Sequence, residues 1–451
     1  MDSVKGFSKL SKEEKLAWLS RSLGDGSGTV PSLLSSFWHP DENRQKAFED
    51  FSENTLSNFF LPFGLAPNFL INGKTYAVPM VIEESSVVAA ASKAAKFWLE
   101  RGGFKARVLK STKVGQVHFL WQGSMDRLLA FFERVRSSLL EELKPLTKRM
   151  ERRGGGITGL RLLDKTQELP GYGQLFVEFE TCDAMGANFI NSVLESLGRR
   201  FAEKVRACEG FSSKERQIEI IMGILSNYTP DCLVSVKVDC PVSDLGAPKS
   251  ETSGEELAKR IKAAVDIARV DPHRAVTHNK GIFNGVDAVV MATGNDFRAV
   301  EACGHAHAAL GTGEDQDQEG EGMRYRGLTR CVVEGGHFTL SLDLPLSLGT
   351  VGGLTSLHPL AELSLEILGR PGAKELMMIA ASVGLAQNFA ALKSLVTTGI
   401  QRGHMKMHLL NILNMLEADD FEKERVKAHF VDRVVTFSEV RRSLKALREC
   451  Q

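Results

Sequence analysis

Two periodicities take turns along this chain. Residues 1–50 are polar with a helical spacing, and SKEEKLAWL carries the Ser-x-x-Glu signature of a capped helix start. Leu61–Pro79 (LPFGLAPNFLINGKTYAVP) changes to β-type runs around Asn72-Gly73, which predicts a hairpin. After Glu83 and Glu84, SSVVAAASKAAKFWLERGG predicts a helix that ends at Gly102-Gly103. Val114–Trp121 (VGQVHFLW) alternates like a strand, and Ser124–Arg149 has the apolar stripe of a long amphipathic helix. That helix ends in a basic cluster and is broken by Gly154–Gly156. Gln174–Glu180 (QLFVEFE) alternates again, and DAMGANFINSVLESLGRRF opens another helix. With a further strand at Cys232–Val238, this order predicts a compact α+β insert with an antiparallel sheet over about residues 111–220.

Residues 254–310 are Ala-rich and predict helices interrupted by turns at HNKG and TGND. Gly311–Gly322 (GTGEDQDQEGEG) is acidic and glycine-rich, the pattern of an exposed loop. Thr339–Leu346 predicts a strand, and His358–Leu368 and Ala373–Leu395 predict helices. The last of these is apolar on most sides, so it is expected to be buried. The final ~55 residues form a more charged helical unit.

Composition narrows the class. The 451 residues suffice for two or three domains with a sizeable core. A formal net charge of zero excludes a general nucleic-acid binder. No signal-peptide h-region opens the chain, and no apolar run reaches the ~18 residues of a membrane span. The seven cysteines are scattered without a CxxC pair, so they read as reduced thiols in a cytoplasmic protein.

Four places combine reactive groups with an apolar or glycine-rich setting. Glu84, beside Glu83, stands before an Ala-rich helix. Acids there complement a helix dipole, but apolar neighbours such as Val87 and Val88 would also raise the pKa of a proton donor. Lys280, in the HNKG turn, precedes an apolar run that ends at Asp296. A covered lysine needs a counter-ion, and Asp296 is the candidate; together they would present a cation to a developing oxyanion. His404, in GIQRGHMKMH, is either a partly buried helical residue or an acid–base group. DAMGAN lacks the GxGxxG of a Rossmann turn, yet it follows a strand and opens a helix whose amides can accept phosphate. Cys303, His305 and His307 lack a second ligand pair at zinc spacing, so no metal is expected.

Five stretches together carry a resemblance: LPFGLAPNFLINGK, VPMVIEESSVVAAASKAAK, DAMGANFIN, THNKGIFNGVDAVVMATGNDFRAVEA and GLAQNFAALKSLVTTGIQRGHM. They resemble 3-hydroxy-3-methylglutaryl-CoA (HMG-CoA) reductase of the soluble class II branch. The resemblance implies catalytic roles for Glu84, Lys280, Asp296 and His404, and acyl-substrate contacts at Arg274 and Asn284. It places the nicotinamide nucleotide on Asp183, Ala184, Met185, Gly186, Ala187 and Asn188. It further implies an α+β architecture: a large helical domain (residues 1–110 and 221–395) carrying the CoA site and the contacts of a homodimer or larger oligomer, a small non-Rossmann nucleotide domain (111–220), and a C-terminal flap (396–451) that delivers His404. The implied reaction takes HMG-CoA to mevalonate and free coenzyme A with two NADPH or NADH. The same fold run oxidatively, or a silent CoA-binding protein, are the competing expectations.

Two departures from the family pattern stand out. Its Glu-Glu-Pro-Ser reads Glu83-Glu84-Ser85-Ser86 here. Where NAD-preferring members carry an aspartate, this chain has Thr147, with Lys148, Arg149, Arg152 and Arg153 nearby, which favours acceptance of NADPH.

Overall fold

A computed structural model describes residues 3–246, 252–311, 324–397, 409–410, 412–430, 433 and 435–449. Contacts divide the chain into two units, Met1–Pro62 and Phe63–Gln451. The first holds helices α1 (Lys12–Ser22), α2 (Thr29–Ser35) and α3 (Glu42–Glu49). The expected cap at α1 is a complete capping box between Ser11 and Glu14, and Asp41 caps α3.

The second unit begins with the hairpin β1 (Phe63–Ile71) and β2 (Lys74–Val81), whose turn is Asn72-Gly73 with both residues at positive φ. Positive φ at both turn positions is what Asn-Gly supplies cheaply. Helix α4 (Val87–Leu99) follows and stops before Gly102 and Gly103, both left-handed. A four-stranded antiparallel sheet runs β3 (Lys105–Val108), β8 (Leu233–Pro241), β10 (His337–Pro345), β9 (Thr329–Glu334). Alternate residues of β8 (Val234, Val236, Val238) and β10 (Phe338, Leu340, Leu342, Leu344) are fully buried. They pack in one cluster with α4, α7 (Gly254–Val270), α8 (Pro272–Ala292) and α12 (Ala373–Leu395). Helix α9 (Phe297–Leu310) lies on β10, while the short α10 (Leu354–Leu357) and α11 (Pro359–Ile367) lead to α12.

Between β3 and β8 a second core forms. The sheet β5 (Gly156–Asp164), β6 (Tyr172–Glu180), β4 (Lys113–Leu120), β7 (Glu219–Leu225) packs with α5 (Met125–Glu151) and α6 (Ala187–Ala207). Two strands differ from expectation. Cys232–Val238 belongs to the other sheet, and Glu219–Leu225 completes this one. The run EIIMGIL is apolar without alternation and leaves Ile221, Met222 and Ile224 about half exposed, so period two did not mark it. The glycines of GGGITGLRLLD begin β5 rather than merely breaking a helix, because Gly156 (φ 120) adopts a conformation open to glycine. A small third cluster includes Leu413, Val426, Val440 and Leu444, on chain that contains the helices Asp420–His429 and Phe437–Glu449.

Helix α12 is long and apolar enough to cross a membrane, but 78% of its apolar window is buried inside the protein. Its closest approach to α8 is built on glycine. A Cβ on Gly285 would sit 2.9 Å from the Val383 carbonyl oxygen, and one on Gly384 would sit 2.7 Å from a Val286 methyl carbon. Two helices meeting backbone to backbone tolerate no added volume there. Gly285→Val should therefore lower stability by about 1–3 kcal/mol or more through overpacking. A denaturant midpoint indistinguishable from that of the parent chain would show that the two helices can separate freely.

Candidate active site

HNKG is not a turn: α8 runs unbroken from Pro272 to Ala292. Asp271 caps it and Pro272 occupies its first position; Gly281 is carried within the helix with open space around it, and Gly285 packs on α12. Lys280 and Asn284, four residues apart, share one helix face. Facing them is Glu84, held in the short link between β2 and α4, where Ser86 takes φ 79. The Lys280 ammonium donates to Glu84 Oε2 at 2.6 Å, and the Asn284 amide donates to the same oxygen at 3.3 Å. The side chains of Lys280 and Glu84 are 59% and 33% exposed, so the pair opens to solvent and contributes little to stability.

Asp296 is not the counter-ion of Lys280. It caps α9, accepting the amides of Arg298 and Ala299, and it pairs with the Arg298 guanidinium through bonds of 2.9 and 3.0 Å. The Arg298 hydrogen bond holds its carboxyl below the usual range. Acid followed by an apolar helix start made Asp296 a cap, a role its sequence setting shares with that of a lysine partner. Arg274 lies in the first turns of α8, half-buried, with burial lowering its pKa. His404 lies outside the described residues, as does the acidic run after Gly311.

Behind Lys280 lies a polar network that sequence reasoning did not find. His278 Nε2 is 2.5 Å from Thr329 Oγ1 and 3.2 Å from the Asn388 amide nitrogen. Burial first, then the Arg274 charge, pushes His278 down to about 3, so it stays neutral. Asn279 donates to the Arg326 carbonyl and accepts the Leu328 amide, both at 2.9 Å. These bonds tie α8 to β9 and α12 directly behind the residue that carries the ammonium. The buried position of two polar residues in HNKG was the missing signal, and periodicity cannot supply it in a helix buried on most sides.

The DAMGAN turn is anchored on both flanks. Asp183 Oδ1 accepts the Ala373 amide at 2.7 Å, and its carbonyl accepts the Thr350 amide at 2.8 Å. Ala184 forms a β-bridge with Val351, and Gly349 lies so near that a Cβ on it would be 2.4 Å from the Met185 nitrogen. The Gly349 amide in turn donates to Asn295 of the TGND turn at 2.8 Å. Gly186, at φ 89, leads into α6 with no side-chain cap and no acidic residue in the first turn. Amides at that end are thus suited to an anion, and Met185, Ala187 and Asn188 surround them. Thr147, expected beside the nucleotide, is buried, hydrogen-bonded to Glu151 at 2.5 Å, and lies on the core-facing stripe Leu143–Thr147–Met150 of α5. The surface there belongs to Lys148, Arg149, Arg152 and Arg153. Of the Cys303, His305 and His307 group, Cys303 accepts from the Thr229 amide and His305 meets the Tyr325 hydroxyl, so their polar atoms serve different partners.

One turn beyond Asn284 on α8 sits Asp287, with Oδ1 buried and unpartnered. Burial, then the Glu301 carboxylate, pushes it up to about 8. A carboxyl that binds its proton more tightly folded than unfolded loses stability as pH rises from about 4 through about 8. Asp287→Asn should abolish that decline and be more stable than the parent chain above pH 8. Melting curves that shift in parallel across the range would show that Asp287 does not carry the pH dependence.

The Hydroxymethylglutaryl-coenzyme A reductase family model matches residues 14–409. The 3-hydroxy-3-methylglutaryl-coenzyme A reductase of Archaeoglobus fulgidus is 37% identical over 94% of this chain and 89% of its own length. A probable enzyme of the same name from Borreliella burgdorferi is 32% identical over 94% and 93%. A solved HMG-CoA reductase from Streptococcus pneumoniae aligns with TM-score 0.70 and 35% identity, covering 99% of this chain and all of that one. A class II reductase from the same organism, solved with NADPH in open conformations, aligns with TM-score 0.69 and 37% identity over 88% of this chain and 100% of that one. By the extent of these matches, the chain belongs to the hydroxymethylglutaryl-coenzyme A reductase family and is an NAD(P)H-dependent oxidoreductase.

Proposed function

We propose that this chain works in the reductive direction, converting HMG-CoA to mevalonate and coenzyme A in the cytoplasm as a homodimer or dimer-based oligomer, with Glu84, Lys280 and His404 as catalytic residues and Asp296 as a positioning residue. The observation that carries the residue roles is the meeting of Glu84, Lys280 and Asn284 at one solvent-open point from distant parts of the chain. Two molecules of NAD(P)H, bound in turn, supply the two hydrides that a thioester-to-alcohol reduction needs.

Lys280 donates to the thioester oxygen and stabilises the negative charge that develops there. Asn284 and Arg274 orient the acyl portion. Lys280 gives a proton to the product alkoxide, and Glu84, hydrogen-bonded to it and open to solvent, relays a proton from water back to the amine. Asp296 fixes the start of α9 beside the Asn295–Gly349 contact, and so acts on the position of the nucleotide turn. His404 protonates the departing CoA thiolate. The uncapped amide end of α6 at Gly186 holds the dinucleotide phosphates, with Asp183, Ala184, Met185, Ala187 and Asn188 shaping the turn. NADPH is accepted in preference to NADH, because the exposed cations Lys148, Arg149, Arg152 and Arg153 around the end of α5 favour a 2′-phosphate.

Loss of reduced-nicotinamide absorbance should show two equivalents oxidised per CoA released, faster with NADPH. Turnover with NADH alone would overturn the preference, and no turnover from folded protein would overturn the reductive reading. Lys280→Ala should cut kcat by about 10²–10³-fold or more, with stability unchanged to within about 1 kcal/mol because the ion pair is exposed. Near-normal kcat would remove Lys280 as the electrophile.

A further inference from the structure

Lys113, the first residue of β4, is only 4% exposed. Its Nζ donates to Thr181 Oγ1 at 2.6 Å and to the Ala184 carbonyl at 2.7 Å. Both acceptors are neutral, and both belong to the segment that ends β6 and forms the turn before α6. Thr181 Oγ1 also donates to the Ala184 carbonyl at 2.6 Å, so lysine, threonine and turn are bonded to one another. The charged and titratable groups around Lys113 are Glu180 at the end of β6, Cys182 and Asp183 in the turn, and Cys232 before β8. Lys374, in the first turn of α12, acts on Cys182 and Cys232 in the same pocket. The acids are already occupied: Glu180 takes the Ser111 hydroxyl and the Cys182 amide, and Asp183 takes the Ala373 amide. A lysine buried so fully, hydrogen-bonded among the described residues only to neutral oxygens, is costly and is not explained by core packing.

We propose that Lys113 is a positioning residue for the nucleotide turn, holding the Ala184 carbonyl from beneath, and that dinucleotide binding draws a proton onto its amine. The proposal rests on the reading that the Asp183–Asn188 turn receives the dinucleotide phosphates. Burial lowers the affinity of free Lys113 for its proton more than the surrounding acids raise it. A pyrophosphate seated on the other side of the same turn adds negative potential close to the buried amine, so the ammonium form is favoured when nucleotide is bound. Binding therefore takes up a proton at any pH between the values of Lys113 in the free and bound protein. Across that window, affinity falls as pH rises, by up to about tenfold per pH unit.

The test is calorimetric titration of the full-length protein with NADH, in buffers of differing ionisation enthalpy and over a pH series. NADH is chosen because the 2′-phosphate of NADPH itself titrates near pH ~6. The parent chain should take up a fraction of a proton and bind more weakly as pH rises. Lys113→Met should weaken NADH by about tenfold, abolish the uptake and flatten the pH dependence, while leaving the KM for HMG-CoA unchanged. Should that variant fail to fold, Lys113→Arg keeps the charge without titrating, and it should bind NADH with no proton uptake. Uptake that persists in either variant, or unchanged affinity in Lys113→Met, overturns the proposal. Asn188→Asp, which places a negative charge at the start of α6, separates this from failure of the underlying reading. Weaker binding there with a normal Lys113→Met rejects the role of Lys113 alone, and unchanged binding in both rejects the turn as the phosphate site.

Discussion

The contact between α8 and α12 is the constraint on which the site depends. Gly285 and Gly384 let the two helices approach until a single methyl group would collide with the opposing helix. α12 itself is buried along most of its length against α4 and β8 as well as α8. Its neighbour therefore has one rotational setting, and that setting turns Lys280 and Asn284 outward toward Glu84. The network of His278, Asn279, Thr329 and Asn388 reinforces the same setting from inside, and with His278 neutral it does so without a buried charge. A helix held this way can spend Lys280 on chemistry, because none of its anchoring passes through the exposed ion pair.

A second chain of contacts joins the two halves of the proposed reaction. Asn295, one residue before Asp296, receives the Gly349 amide. The next residue, Thr350, donates to the Asp183 carbonyl, and Val351 bridges Ala184. The turn assigned to the nucleotide thus sits on the same loop that touches the segment carrying Asp296. Lys113 supports that turn from the insert's side, and Ala373 at the head of α12 supports it from the other. The helix that sets the position of Lys280 is therefore also the helix whose first amide holds Asp183.

Local chemistry made much of the fold legible. Asn72-Gly73 demanded positive φ and gave the hairpin; Ser11 and Glu14 gave a capping box; Gly102 and Gly103 ended α4. Ala373–Leu395 was apolar on nearly every side and became the buried helix. Where a residue's role depends on what lies across from it, the same reasoning was incomplete. The HNKG glycine signalled a turn, but the burial of Ile282, Phe283, Gly285 and Val286 just beyond it keeps the chain helical through that point. Thr147 stood in a cationic surface run, yet its phase on α5 turned it to the core. Cys232–Val238 alternated as a strand should, but alternation does not say which sheet a strand joins.

The sequence by itself determined many of the helices and strands, the family resemblance and the residue types available for chemistry, because capping, turn formation and periodicity act within a few residues. Only the tertiary structure decided the partners. It gave Lys280 to Glu84 rather than to Asp296, gave Asp296 to Arg298, and buried Lys113 beneath Ala184. Glu84 and Lys280 are 196 residues apart in the chain. Pairings at such separations are chosen by how whole elements pack, and no local pattern of side chains carries that information.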